Sequence, residues 1–176
     1  MNLFSLHRDH ELNARAHCDK HVVKMPVEVA QLLSTAVRIL AREQGVDLSS
    51  PLSSLLYRET HRNHPCAVWT RTSMDAFLWV VEYGESLCAE YTYRYGKNHA
   101  AKRVIEACDC LDTFYGLTPA ENPEPQPQCM PEQYRVPGNP VKAYRAYFCG
   151  EKSHLAQWTN RPVPRWFKET QTSELP

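Results

Sequence analysis

Apolar residues recur at helical spacing through most of the chain. Within 27–42, Val29, Leu32, Leu33, Ala36, Val37 and Leu40 fall at i, i+3, i+4 and i+7, the stripe of an amphipathic helix. Gly45 supplies a stop. Residues 12–25 carry the pattern upstream through Cys18, Val22 and Met25, with Pro26 at the join as a kink or a first-turn residue. A long helix is expected over 66–95, with Trp69, Ala76, Val80, Leu87 and Tyr91 facing inward and Gly96-Lys97-Asn98 ending it. Shorter ones are expected over 101–115 (Val104, Ile105, Cys108, Leu111, Tyr115) and 141–158 (Tyr144, Tyr147, Phe148, Leu155, Trp158). Residues 45–65 read as loop, and 118–140 holds seven prolines, which excludes regular helix and central strand. The pattern predicts an all-α, single-domain helical bundle over 1–168 with a Pro-rich loop. An extended C-terminal tail over 161–167 and a frayed end over 169–176 complete it.

Composition narrows the function classes. A chain of 176 residues suits one domain with one core. Twenty Lys+Arg against 20 Asp+Glu exclude a polycation and an acidic solvating tail. No apolar run approaches the roughly 18 residues that span a bilayer, so no membrane partner is expected. The short apolar stretch after Met1 lacks a basic flank and is not read as a signal peptide. Cysteines at 18, 66, 88, 108, 110, 129 and 149 show no CxxC spacing, so reduced thiols in a cytoplasmic setting are expected.

Three polar groupings stand out against this background. His17, Lys20, His21, Lys24, Glu28 and Gln31 are spaced by three or four, and share a face if the helices run nearly unbroken past Pro26. Imidazoles beside a Lys–Glu pair form an acid/base inventory, or else a wet face with an ordinary salt bridge. His61-Arg62-Asn63-His64-Pro65-Cys66 precedes a helix, where unpaired N–H groups could seat an anion or where Asn63 or His64 merely caps. Between residues 142 and 168, Lys142, Arg145, Lys152, Arg161, Arg165 and Lys168 face Glu151 alone and interleave with six aromatics. That is a nucleic-acid footprint, with Trp166-Phe167 the best surface candidates. His17 and His21 also form an HxxxH pair that His61 and His64 could complete around a metal, but no metal or cofactor is assigned.

Four stretches in this order resemble the phage endonuclease V family of pyrimidine-dimer DNA glycosylases. They are Lys24-Met-Pro26-Val-Glu28-Val-Ala-Gln31, His64-Pro65-Cys-Ala-Val-Trp69, Glu90-Tyr-Thr-Tyr-Arg94-Tyr-Gly96 and Arg161-Pro162-Val-Pro-Arg165-Trp166-Phe167. The resemblance implies an all-helical DNA N-glycosylase acting on a damaged or modified base flipped out of the stack, with AP-lyase activity as an open second activity. In the family an N-terminal amine attacks the sugar C1′ to form an imine and a carboxylate assists. Here Asn2 is bulky, which leaves the terminal amine on Met1, and the acid position aligns with Lys24, Glu28 being the nearest carboxylate one turn on. The catalytic candidates are therefore Lys24, Glu28, His21 and His64, with Lys24, the Met1 amine or water as nucleophile. DNA or nucleotide contacts are expected from His17, Lys20, Gln31, Arg62, Asn63, Arg161, Arg165 and Trp166. A metal-dependent hydrolase built on the histidines and a non-catalytic nucleic-acid-binding protein are the alternatives.

Overall fold

A computed structural model describes residues 2–109 and 115–173, the last three by backbone alone. Met1, Cys110, Leu111 and residues 174–176 lie outside the described residues. The eight α-helices among the described residues are α1 (His10–Ala16), α2 (Asp19–Glu43), α3 (Ser50–Leu55), α4 (Pro65–Trp69), α5 (Met74–Tyr95), α6 (Lys102–Asp109), α7 (Pro140–Tyr147) and α8 (Arg165–Ser173). No strand occurs among the described residues, and the molecule is all-α.

Boundaries follow local chemistry. The Asp9 carboxylate accepts the Leu12 N–H and starts α1, and His17 at ψ 139° ends it. The helix expected over 12–25 is thus broken at His17–Cys18, while Pro26, expected at the join of two helices, sits inside α2 without ending it. The Val23 carbonyl, one turn before Pro26, takes a bond from His99 Nε2 at 3.1 Å. The expected 66–95 helix also divides, because Ser73 caps a new start by accepting the Ala76 N–H. Gly96 closes α5 at φ 67°, a left-handed position suited to glycine. At the C-terminus the chain is extended only to Pro164, and α8 begins at Arg165, within the stretch expected to be extended.

Helix α5 is the axis against which α1, α2 and α6 pack. At Gly84 a Cβ would stand 2.6 Å from Val29 Cγ1 and 3.0 Å from Ile105 Cδ1, so three helices converge where one side chain is missing. The core also takes in the N-terminal segment: Leu3 and Leu6 are fully buried and Phe4 nearly so. Arg38 donates to the carbonyls of Ser53, Leu56 and Tyr57, fixing the connection that leads to His64.

Candidate active site

Burying Leu3, Phe4 and Leu6 draws the residue-2 end of the chain across α2. There the Asn2 backbone N–H donates to Glu28 Oε2 at 2.8 Å. Lys24, one turn earlier, places Nζ 2.9 Å from the other carboxylate oxygen, Oε1. The Asn2 side chain is fixed at both ends: Nδ2 donates to the Cys129 carbonyl at 2.8 Å, and Oδ1 accepts the Tyr144 hydroxyl at 2.6 Å. Asn2, Phe4, Lys20, His21, Lys24 and Glu28 line a cleft of about 340 Å³ together with Tyr147, Lys152 and Leu155. One carboxylate faces three lysines here, a field that suits a phosphodiester.

His21 is 6% exposed in the wall of this cleft, its ring 4.5 Å from that of Phe4, and its Nδ1 has no hydrogen-bond partner among the described residues. Burial lowers its pKa to about 4, so the ring is neutral at neutral pH and can accept or relay a proton.

His17 does not share this face. It is fully buried, donating Nδ1–H to the Asn13 carbonyl at 2.7 Å and accepting the Tyr83 hydroxyl at Nε2 at 2.9 Å. With both ring nitrogens engaged it neither binds substrate nor forms half of a metal-binding HxxxH pair. His61 is exposed and its Nδ1 pairs with the Thr60 hydroxyl, so the four-histidine metal set is not assembled. Lys20 and Lys24 do lie in the cleft; Gln31, a turn beyond Glu28, is half-buried outside its lining.

His64 caps α4, its Nδ1 accepting the Cys66 N–H at 3.2 Å, and burial lowers its pKa. The Glu28 charge opposes that shift, a smaller effect than burial. Arg62 reaches Glu59 at 3.8 Å, and Asn63 is exposed beside it. The Cys66 and Cys129 sulfurs are 3.5 Å apart; their hydrogen bond raises the Cys66 thiol and lowers that of Cys129 to about 7.

The C-terminal candidates are placed elsewhere. Arg161 makes a two-pronged bond to Glu90, 2.8 Å from Oε2 and 3.0 Å from Oε1, and lies 3.7 Å over the Tyr93 ring. It borders a groove that also contains Glu11, Glu85 and Glu90, a poor seat for phosphate. Arg165 is 92% exposed and pairs with Glu169 within α8. Trp166 is not a free stacking platform, because it packs edge-on against Phe148, with the Arg145 guanidinium 5.5 Å away.

Sequence reasoning missed Asn2, Phe4, Tyr147 and Lys152 as one site. The Leu3-to-Leu6 apolar run was the available signal: a segment that must be buried brings its end with it. No helix among the described residues is long and apolar enough to cross a membrane.

No curated protein and no solved structure gives a significant match. The pyrimidine dimer DNA glycosylase family matches residues 1–103, which carry Asn2, His21, Lys24 and Glu28 together, and the chain belongs to that family.

Proposed function

We propose that this DNA glycosylase releases a damaged pyrimidine through an imine formed at the Asn2 end of the cleft, with Glu28 as its acid/base partner. The observation that carries this reading is the 2.8 Å approach of the Asn2 backbone nitrogen to Glu28 Oε2. A primary amine borne there, on Asn2 or on the residue before it, attacks C1′ of the flipped nucleotide. The glycosidic bond breaks, the base leaves with its electron pair, and Glu28 takes the proton from the attacking nitrogen. The nitrogen lone pair then breaks the C1′–O4′ bond to give the ring-opened imine, O4′ taking the proton held by Glu28, and loss of a C2′ proton expels the 3′ phosphate as the lyase step. Neutral His21 fills the wall beside the sugar, and Lys20, Lys24 and Lys152 hold the flanking phosphates.

Lys24 suits the nucleophile role poorly. Its side chain is 71% exposed and ion-paired to Glu28, whereas that role requires a dried pocket. It acts instead by orienting Glu28 and meeting phosphate. The test is borohydride trapping on a duplex with a cyclobutane pyrimidine dimer or an abasic site, with mass spectrometry of the adduct. The adduct is expected on the first residue of the chain. Glu28→Gln is expected to slow base release by about 10²–10⁴-fold, and Lys24→Ala to leave trapping intact. An adduct on Lys24, or base release with no adduct on either substrate, overturns the amine mechanism in favour of Lys24 or of a Glu28-activated water.

A further inference from the structure

Three soft donors meet a short way from Glu28 without any part in the reaction above. One ring nitrogen of His64 and the sulfurs of Cys66 and Cys129 all lie within 4.8 Å of one another. They come from different parts of the chain: His64 and Cys66 from the start of α4, and Cys129 from the Pro-rich loop 63 residues later. The two sulfurs stand 3.5 Å apart and both cysteines are free. Sulfurs bound to one tetrahedral ion at about 2.3 Å would stand about 3.8 Å apart, close to what is found, whereas a disulfide requires about 2.05 Å. His64 Nδ1 spends its one lone pair on the Cys66 N–H at 3.2 Å, so an ion bound by this ring displaces that hydrogen bond.

From this juxtaposition we propose that His64, Cys66 and Cys129 bind one divalent zinc-class ion that clamps the Pro-rich loop to the start of α4. Two thiolates and an imidazole select zinc over magnesium or calcium, and three protein donors leave a fourth position for water. The thiols lose their protons on binding, so each ion taken up releases them to solvent. The clamp bears on the reaction through geometry. Cys129 supplies the carbonyl that accepts Asn2 Nδ2–H, so fixing Cys129 fixes the residue that meets Glu28. The expectation that the chain carries no metal weighed the HxxxH pair with His61 and His64, a set that shares only His64 with this one, and the lack of CxxC spacing.

Metal content decides the matter independently of the imine chemistry. Tag-free protein prepared without chelator is expected to hold about one zinc per chain by elemental analysis. After removal by a chelator, cobalt(II) is expected to restore a thiolate-to-metal charge-transfer band in the unvaried protein. Cys129→Ser and His64→Ala, both at incompletely buried positions, should each lower zinc retention at least tenfold while circular dichroism stays helical. The proposal is overturned if apo protein with reduced thiols takes up neither zinc nor cobalt. It is equally overturned if the isolated protein carries a Cys66–Cys129 disulfide and no metal, or if zinc survives in the His64→Ala/Cys129→Ser double variant. None of these results touches trapping on the first residue, so the two proposals fail separately.

Discussion

Both ring nitrogens of His17 are committed inside the protein, and that has a measurable effect on stability. Burial, reinforced by neighbouring His21, lowers its pKa from 6.5 to about 3, and burial lowers that of His21 to about 4. In the unfolded chain both rings take up protons near 6.5, whereas in the folded protein they stay neutral. Their contribution is therefore complete above 6.5 and is lost as pH falls towards the folded values. Between pH 6.5 and 4.5 the urea midpoint is expected to drop, by about 1.4 kcal/mol per unit per ring at most. His17→Gln should flatten the slope in this window; a slope unchanged by that substitution would mean His17 is not buried neutral. The i, i+4 spacing of His17 and His21 was visible in the sequence, yet it implied one shared wet face. The helix break between them, at a Cys18 cap with no side-chain bond, left no signal to read.

At the scale of elements, α5 depends on an absence. Ala is the better helix former, by about 0.8–1 kcal/mol over Gly. At position 84, however, a methyl would stand 2.6 Å from Val29 Cγ1, a β-branched side chain whose rotamer α2 holds nearly fixed. Overpacking of this kind costs about 1–3 kcal/mol, so Gly84→Ala is expected to destabilise by roughly 1 kcal/mol or more in urea unfolding. A stabilised variant would show that α2, α5 and α6 are packed more loosely. The elements that were legible each own a local cause: the apolar stripe marks α2 and Gly96 ends α5. Helix α3 lies within 45–65, which reads as loop, and α7 starts at Pro140 but ends at Tyr147, short of the helix expected over 141–158. The Ser73 cap that divides α4 from α5 was legible too, but the apolar residues on both sides suggested continuity. The meeting of Asn2 with Glu28, 26 residues away, and of Cys66 with Cys129, 63 away, comes from packing alone.

Across the whole molecule, a buried ionic knot joins the two ends of the chain. Arg94, with no side-chain exposure, bonds Glu90, Asp19 and the Arg15 carbonyl, while Arg161 returns to Glu90. Thr159 donates to Asp19, and Trp158 Nε1 donates to the Ala16 carbonyl. Two of the stretches behind the resemblance, Glu90 to Gly96 and Arg161 to Phe167, thus supply the two halves of a structural tie. Removing Glu90 would leave Arg161 without its carboxylate partner and the buried Arg94 with Asp19 alone. Glu90→Ala is expected to lower stability by about 3–5 kcal/mol, measured by urea unfolding. A change below 1 kcal/mol would show the knot to be dispensable. Tyr147, Lys152 and Leu155 lie beyond residue 103, outside the segment that the family matches, yet they line the same cleft as Asn2 and Glu28. Under the proposed mechanism, the groups assigned to bond breaking lie inside the matched stretch and part of the cleft lining lies outside it. Two proteins could agree through residue 103 and still accept different lesions, because the choice of base can be rewritten in the second stretch without disturbing the chemistry in the first.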